Sequence, residues 1–152
     1  MNIVLHEPEI HMNTGNIGRT CVAADAALHL IHPLGFSLND KAVKRAGLDY
    51  WQSLRLFEYT SFDDFIKSRL PGAVYLASTK GTRLYSEINY SKGDYIVFGK
   101  ESAGLPESIR RTYSEGVIRI PMSPENRSLN LANAVAVVLY EALRQTGFPG
   151  LK

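Results

Sequence analysis

The chain has 152 residues, 45% apolar and 21% charged, with a formal net charge of +2, values ordinary for a soluble globular fold. The mild positive charge permits a nucleic-acid partner without demanding one. A single cysteine, Cys21, excludes an internal disulfide and fits a reducing compartment. No apolar run approaches the ~20 residues that span a bilayer, and the start Met-Asn-Ile-Val-Leu-His-Glu has no basic segment leading into a long apolar one. The expectation is a single domain over residues 1–152, cytoplasmic and without a membrane contact.

Taken in order, Ile3-Val-Leu5 reads as a buried strand that ends at Glu7-Pro-Glu9. Residues 11–15 read as a loop, followed by a helix from about Asn16 to Ala26 and a strand at Ala27–Ile31, closed by Pro33 and Gly35. Lys41, Lys44 and Arg45 share one face of an expected short helix. Leu54–Tyr59 reads as strand, and Ser61 caps a helix with Asp63 and Asp64 in its first turn. Ala73–Ala77 is a strand, residues 82–93 are turn-rich, and Tyr95–Phe98 is a strand running into Gly99-Lys-Glu-Ser-Ala-Gly-Leu-Pro106. Pro106 suits the first position of a helix reaching about Tyr113.

The last third carries the densest signal. A short strand, Val117–Ile120, is stopped by Pro121; a polar loop with Ser123, Glu125, Asn126, Arg127, Ser128 and Asn130 follows. The helix after it is apolar nearly all round, so it needs cover on more than one face: a core on one side, a partner subunit on the other. Ser128 or Asn130 is its expected cap. Short β-branched strands alternating with helices predict an α/β fold, a mostly parallel sheet with helices on both faces. Ligands in such folds sit beyond the carboxyl ends of strands, so the loops at 7–16, 77–81, 99–105 and 121–130 are expected to line one site.

Familiar motifs fail. Gly99-x-x-x-x-Gly104 is followed by Leu105-Pro106 where a phosphate loop needs lysine and a hydroxyl, and Gly15-x-x-Gly18 is only a fragment of a dinucleotide fingerprint. His6, His11, His29 and His32 lack the spacing and company of a metal site, so no metal is expected.

Three segments are informative as a set: Asn13-Thr-Gly-Asn-Ile-Gly-Arg19, Phe98-Gly-Lys-Glu-Ser-Ala-Gly-Leu-Pro106, and Ile120-Pro-Met…Ser128-Leu-Asn-Leu-Ala-Asn133. In this order and spacing they resemble the three motifs of the SPOUT class of RNA ribose 2′-O-methyltransferases, from Asn2 to Gly150, most closely its small tRNA (cytidine/uridine-2′-O-)-methyltransferase members. The resemblance implies a C-terminal trefoil knot, a homodimer, and S-adenosyl-L-methionine (S-adenosyl-L-homocysteine as product) bound through Ala77, Gly99, Ile120 and Ser128. It marks Arg19 as catalytic. An always-protonated guanidinium is a poor base, so orienting the target phosphate and stabilising the developing alkoxide is the role expected of it. Asn13, Glu101 and Asn130 are expected beside it, Asn13 fixing Arg19 or substrate and Glu101 holding either. The implied substrate is the wobble cytidine or uridine of the tRNA anticodon stem-loop, in leucine acceptors. Without an appended RNA-binding domain, Lys41, Lys44, Arg45, Lys80, Arg83 and Arg127 are the basic residues expected to grip it. Methylation of another RNA position, or an inactive RNA-binding relative, is the alternative.

Overall fold

The computed structural model describes residues 1–38 and 50–152; Lys41, Lys44 and Arg45 lie outside the described residues. Seven parallel strands form one sheet: β1 (Asn2–His6), β2 (Ala27–Ile31), β3 (Leu56–Tyr59), β4 (Val74–Ala77), β5 (Arg83–Leu84), β6 (Tyr95–Phe98) and β7 (Val117–Arg119). Their spatial order is β3-β2-β1-β6-β4-β7-β5. Helices α1 (His11–Ala23), α2 (Phe62–Ser68), α3 (Glu107–Thr112) and α4 (Leu131–Gln145) cover it.

Alternate strand residues face opposite ways, so the sheet builds two cores. Ile3, Leu5, Leu28, Leu30, Ile96 and Phe98 pack against α1 and α4 through Ile17, Cys21, Val135, Val138 and Leu139. Val4, Ile31, Leu76, Tyr95 and Val97 pack on the other face against Phe62 and Phe65 of α2. The central strands are buried on both faces, as parallel strands under two helix layers must be. Cys21 sits in the first core, and its burial pushes the thiol up to about 12, which makes it an inert packing residue. Among the described residues no helix is long and apolar enough to cross a membrane.

Several boundaries differ from expectation for physical reasons. Residues 11–15 are helix, because α1 starts at His11. Its N-cap, Ile10, offers no side-chain cap; the carboxylate of Glu101 receives the amide N–H of Glu9 at 2.8 Å and of Ile10 at 3.3 Å instead. That cap comes from more than ninety positions away, beyond any local rule. Strand β3 begins at Leu56, not Leu54, since Trp51–Ser53 forms a 3₁₀ turn first. Pro106 is the N-cap of α3, one place before its expected position. Ser61 does cap α2, accepting from the Asp64 amide at 3.1 Å.

The strand order positions the site. β1, β6, β4 and β7 are neighbours, so the loops leaving their carboxyl ends converge. β7 lies between β4 and β5, which only residues 78–82 join, so this link spans β7. The Ser78 amide donates to the Ile118 carbonyl at 2.9 Å, and a Cβ on Gly81 would overlap the same carbonyl.

His29 occupies an aromatic box on the α2 side. It stacks 4.8 Å from Phe57 and meets Phe65 and Tyr95 edge-on, with ring nitrogens 3.0 Å from the Tyr59 hydroxyl and 3.2 Å from Asn2 Oδ1. Burial lowers its pKa from 6.5 to about 4. Folding therefore favours the neutral ring: the stabilisation is complete above the unfolded value and is lost as pH falls towards the folded one. Urea unfolding of the wild type should lose on the order of 3 kcal/mol from this group between about pH 7 and about pH 4. His29→Gln should flatten that slope; an unchanged slope would assign the acid sensitivity elsewhere.

Candidate active site

The four converging loops enclose a cavity of about 590 Å³, the size of a small-molecule site. Segments 10–13, 77–80, 98–105 and 120–131 all contribute lining residues, as the sequence predicts. Apolar Ala77, Leu105, Ile120 and Met122 share the lining with hydroxyl-bearing Ser78, Thr79 and Ser128.

Gly99 owes its place to its own loop. A Cβ there would overlap the backbone of Gly104 and Leu105, because the loop folds back so tightly that the Gly104 amide donates to the Lys100 carbonyl at 2.8 Å. Gly104, at φ +69°, makes the return. This requirement stands beside the cofactor contact that the resemblance implies for Gly99.

Asn13, Glu101 and Asn130 form one hydrogen-bonded chain. Asn13 Nδ2 donates to Glu101 Oε1 at 2.9 Å, and Asn13 Oδ1 accepts from Asn130 Nδ2 at 3.0 Å. Asn130 Oδ1 in turn caps α4, accepting from the Ala132 amide at 2.9 Å and the Asn133 amide at 3.4 Å. Glu101 thus holds Asn13 and the start of α1, not Arg19. A second set of contacts, which sequence reasoning missed, fastens the same loops. Ser102 donates its amide and its hydroxyl to Glu9, each at 2.9 Å, and these bonds lower the Glu9 pKa. Lys100 pairs with Glu7 at 3.2 Å. Glu7-Pro-Glu9 carries no local sign of these bonds, since their partners follow the neighbouring strand β6, 93 positions on.

Arg19 is elsewhere. It is exposed on α1, outside the cavity lining, with its guanidinium 5.0 Å above the ring of Tyr50. Of the expected RNA-gripping residues, Lys80 and Arg127 line the cavity beside Arg110, whereas Arg83 lies on β5 and donates to the Glu115 carbonyl. Arg110 carried no motif signal; its Nε donates to the Leu105 carbonyl at 3.2 Å.

Known proteins share both the sequence and the fold of this chain. The model of the SpoU rRNA Methylase family matches residues 1–140. The chain belongs to this family. The tRNA (cytidine(34)-2′-O)-methyltransferase of Saccharophagus degradans is 51% identical over 154 residues, covering 99% of each chain. That of Escherichia coli K12 is 48% identical over 151 residues, covering 99% of this chain and 96% of its own. A solved structure giving insights into the 2-OH methylation of C/U34 on tRNA superposes with a TM-score of 0.92 at 44% identity, covering 96% of this chain and 95% of that one. The AdoMet-bound rRNA methyltransferase of Sinorhizobium meliloti superposes with a TM-score of 0.84 at 28% identity, covering 94% of this chain and 55% of that one.

SpoU methylases use S-adenosylmethionine, and the cavity suits it. The adenine ring needs an apolar bed, the ribose and amino-acid end need hydroxyl and backbone partners, and the lining offers both. The carboxylate of Glu101 is already engaged by three donors. Gly99→Ala should force the 99–105 loop open and lower S-adenosylmethionine affinity about tenfold or more by calorimetry, in a protein whose circular dichroism is unchanged. Unaltered affinity would detach that loop from the cofactor.

Proposed function

We propose that this SpoU-family chain is a tRNA ribose 2′-O-methyltransferase acting on nucleotide 34, cytidine or uridine, with leucine acceptors as its substrates. The observation that carries the reading is the meeting of all three motifs in one cavity, in a chain about half identical, end to end, to relatives named for that reaction. Bound S-adenosylmethionine would supply an electrophilic methyl group, held by Ala77, Gly99, Ile120 and Ser128. The chain's own residues do the rest. Asn13, Glu101 and Asn130 keep the loops at fixed separation, so the accepting 2′-hydroxyl meets a preorganised wall. Lys80, Arg110 and Arg127 provide the positive rim for phosphates. Arg19 orients the target phosphate and stabilises the developing alkoxide.

Arg19 stands away from its own cavity, and that supports a homodimer. Helices α1 and α4 pack side by side, and their outer faces carry Met12, Asn16 and Arg19, and Asn133, Val137 and Tyr140. Met12 is 60% exposed and Tyr140 45%, large apolar surfaces for solvent. A second copy laid on this face would cover them and turn Arg19 towards the partner's cavity. We also read the chain leaving β7 as passing beneath the 78–82 link, which is the knot the family resemblance implies, and residues 1–152 as one domain.

Methyl transfer to a transcribed leucine tRNA, compared with the same tRNA carrying a 2′-deoxy nucleotide at the wobble position, tests the reaction. Label should enter the ribose form alone; label in the deoxy form, or at another position, sinks the reading. Arg19→Ala should cut turnover by about a hundredfold or more while cofactor affinity holds, and RNA binding without any turnover in the wild type would mark an inactive relative. The dimer has its own check. Val137→Glu should give a monomer by light scattering, because an unpaired charge would be buried at the interface. Leu139 is fully buried in the core, so a charge there would report on folding instead. A dimer surviving Val137→Glu would remove α4 from the interface.

A further inference from the structure

Arg19 is held by an aromatic face, where Arg55 and Arg144, also exposed, are held by carboxylates. Arg55 pairs with Asp25 at 3.0 Å, and Arg144 with Glu141 at 2.8 Å. Arg19 makes no ion pair among the described residues; its guanidinium carbon lies 5.0 Å from the centroid of the Tyr50 ring. The difference is chemical. A carboxylate occupies the in-plane N–H groups of a guanidinium and cancels its charge. An aromatic face contacts the plane from above, leaves all five donors free and keeps the charge.

The ring is also built into position. Tyr50 opens the turn at Trp51–Ser53, with the Ser53 amide donating to the Tyr50 carbonyl at 3.0 Å. That turn lies against α1 at Gly18. A Cβ there would sit 3.2 Å from Leu54 and 3.3 Å from Trp51, closer than comfortable packing. Gly18 therefore lets Trp51 and Leu54 dock on the helix, next to the residue whose side chain Tyr50 supports. Tyr50 itself is 38% exposed, so its ring is available on a surface rather than spent in the core.

We infer that Tyr50 is the positioning residue for Arg19: its ring fixes the direction of the guanidinium and leaves every N–H free for a phosphodiester of the RNA beside the accepting ribose. The inference rests on the 2′-O-methyltransferase reading for its effect on turnover, though the Arg19–Tyr50 contact stands independently of it. It assigns Tyr50 no contact with the reacting atoms.

The test compares Tyr50→Phe, which keeps the ring face, with Tyr50→Ala, each alone and combined with Arg19→Ala. Nuclear magnetic resonance reads the contact directly. The Arg19 side-chain protons should be ring-current shifted in wild type and in Tyr50→Phe, and lose that shift in Tyr50→Ala. Single-turnover methylation of tRNA should slow about fivefold in Tyr50→Ala, stay within about twofold of wild type in Tyr50→Phe, and show no further loss when Tyr50→Ala is added to Arg19→Ala. Affinity for S-adenosylmethionine and the fluorescence of Trp51 should not move. Absence of the ring-current shift in wild type, a wild-type rate in Tyr50→Ala, or a Tyr50→Phe defect as large as that of Tyr50→Ala would each overturn the inference. So would a Tyr50→Ala loss that persists without Arg19, since the ring would then be touching RNA itself. A wild-type protein that shows the shift but methylates no tRNA would sink the functional reading and leave the positioning contact standing.

Discussion

The site depends on one buried amide. Asn13 is 7% exposed and both of its polar atoms are used, the nitrogen on Glu101 and the oxygen on Asn130. No other side chain of that size meets both demands. Aspartate would face Glu101 with a like charge, and leucine would break both of the bonds that tie Glu101 to Asn130. Because Glu101 also caps α1 and Asn130 also caps α4, the same chain of bonds fixes where two helices begin. The loop of the second motif, the start of α1 and the start of α4 are therefore tied to one another. Rigid separation of these walls is what a site for positioned methyl transfer needs.

The distribution of charge follows from the same economy. Glu101 lines the cavity, Glu7 and Glu9 follow β1, and all three hold loops: Glu7 through Lys100, Glu9 through Ser102, Glu101 through backbone and Asn13. Lys80, Arg110 and Arg127 remain on the lining. A formal charge of only +2 thus says little about this lining, whose one carboxylate, Glu101, is already bonded and which also carries Lys80, Arg110 and Arg127. Net charge speaks weakly about an RNA partner; which carboxylates are already bonded speaks more clearly.

Much of the fold was legible because parallel strands buried on both faces read as plain apolar runs. Ala27–Ile31 and Tyr95–Phe98 stand where periodicity puts them. What failed was whatever depended on partners distant in sequence. Local rules made residues 11–15 a loop, since His-Met-Asn-Thr-Gly offers no cap; the cap is Glu101. Gly99 has a further duty towards Gly104 and Leu105 that shows only once the loop is closed. The convergence of four loops was legible as an expectation about carboxyl ends of strands. That they belong to adjacent strands rests on the order β1-β6-β4-β7, which no local pattern encodes. Tyr50 carried no motif signal at all, and it stands over Arg19 from a turn that packs on α1 at Gly18.

Helix geometry explains why the sequence placed Arg19 with Asn13 while the structure separates them. Both belong to the first motif and to α1, six residues apart. At about 100° per residue, six steps turn a helix by about 240° beyond one full revolution, so the two side chains cannot share a direction. Asn13 points into the cavity, and Arg19 leaves on the exposed side, over Tyr50. A motif read as a string makes neighbours of residues that a helix sets apart. In the proposed dimer, Arg19 serves the cavity of the other copy, and that copy covers the exposed apolar residues of α1 and α4.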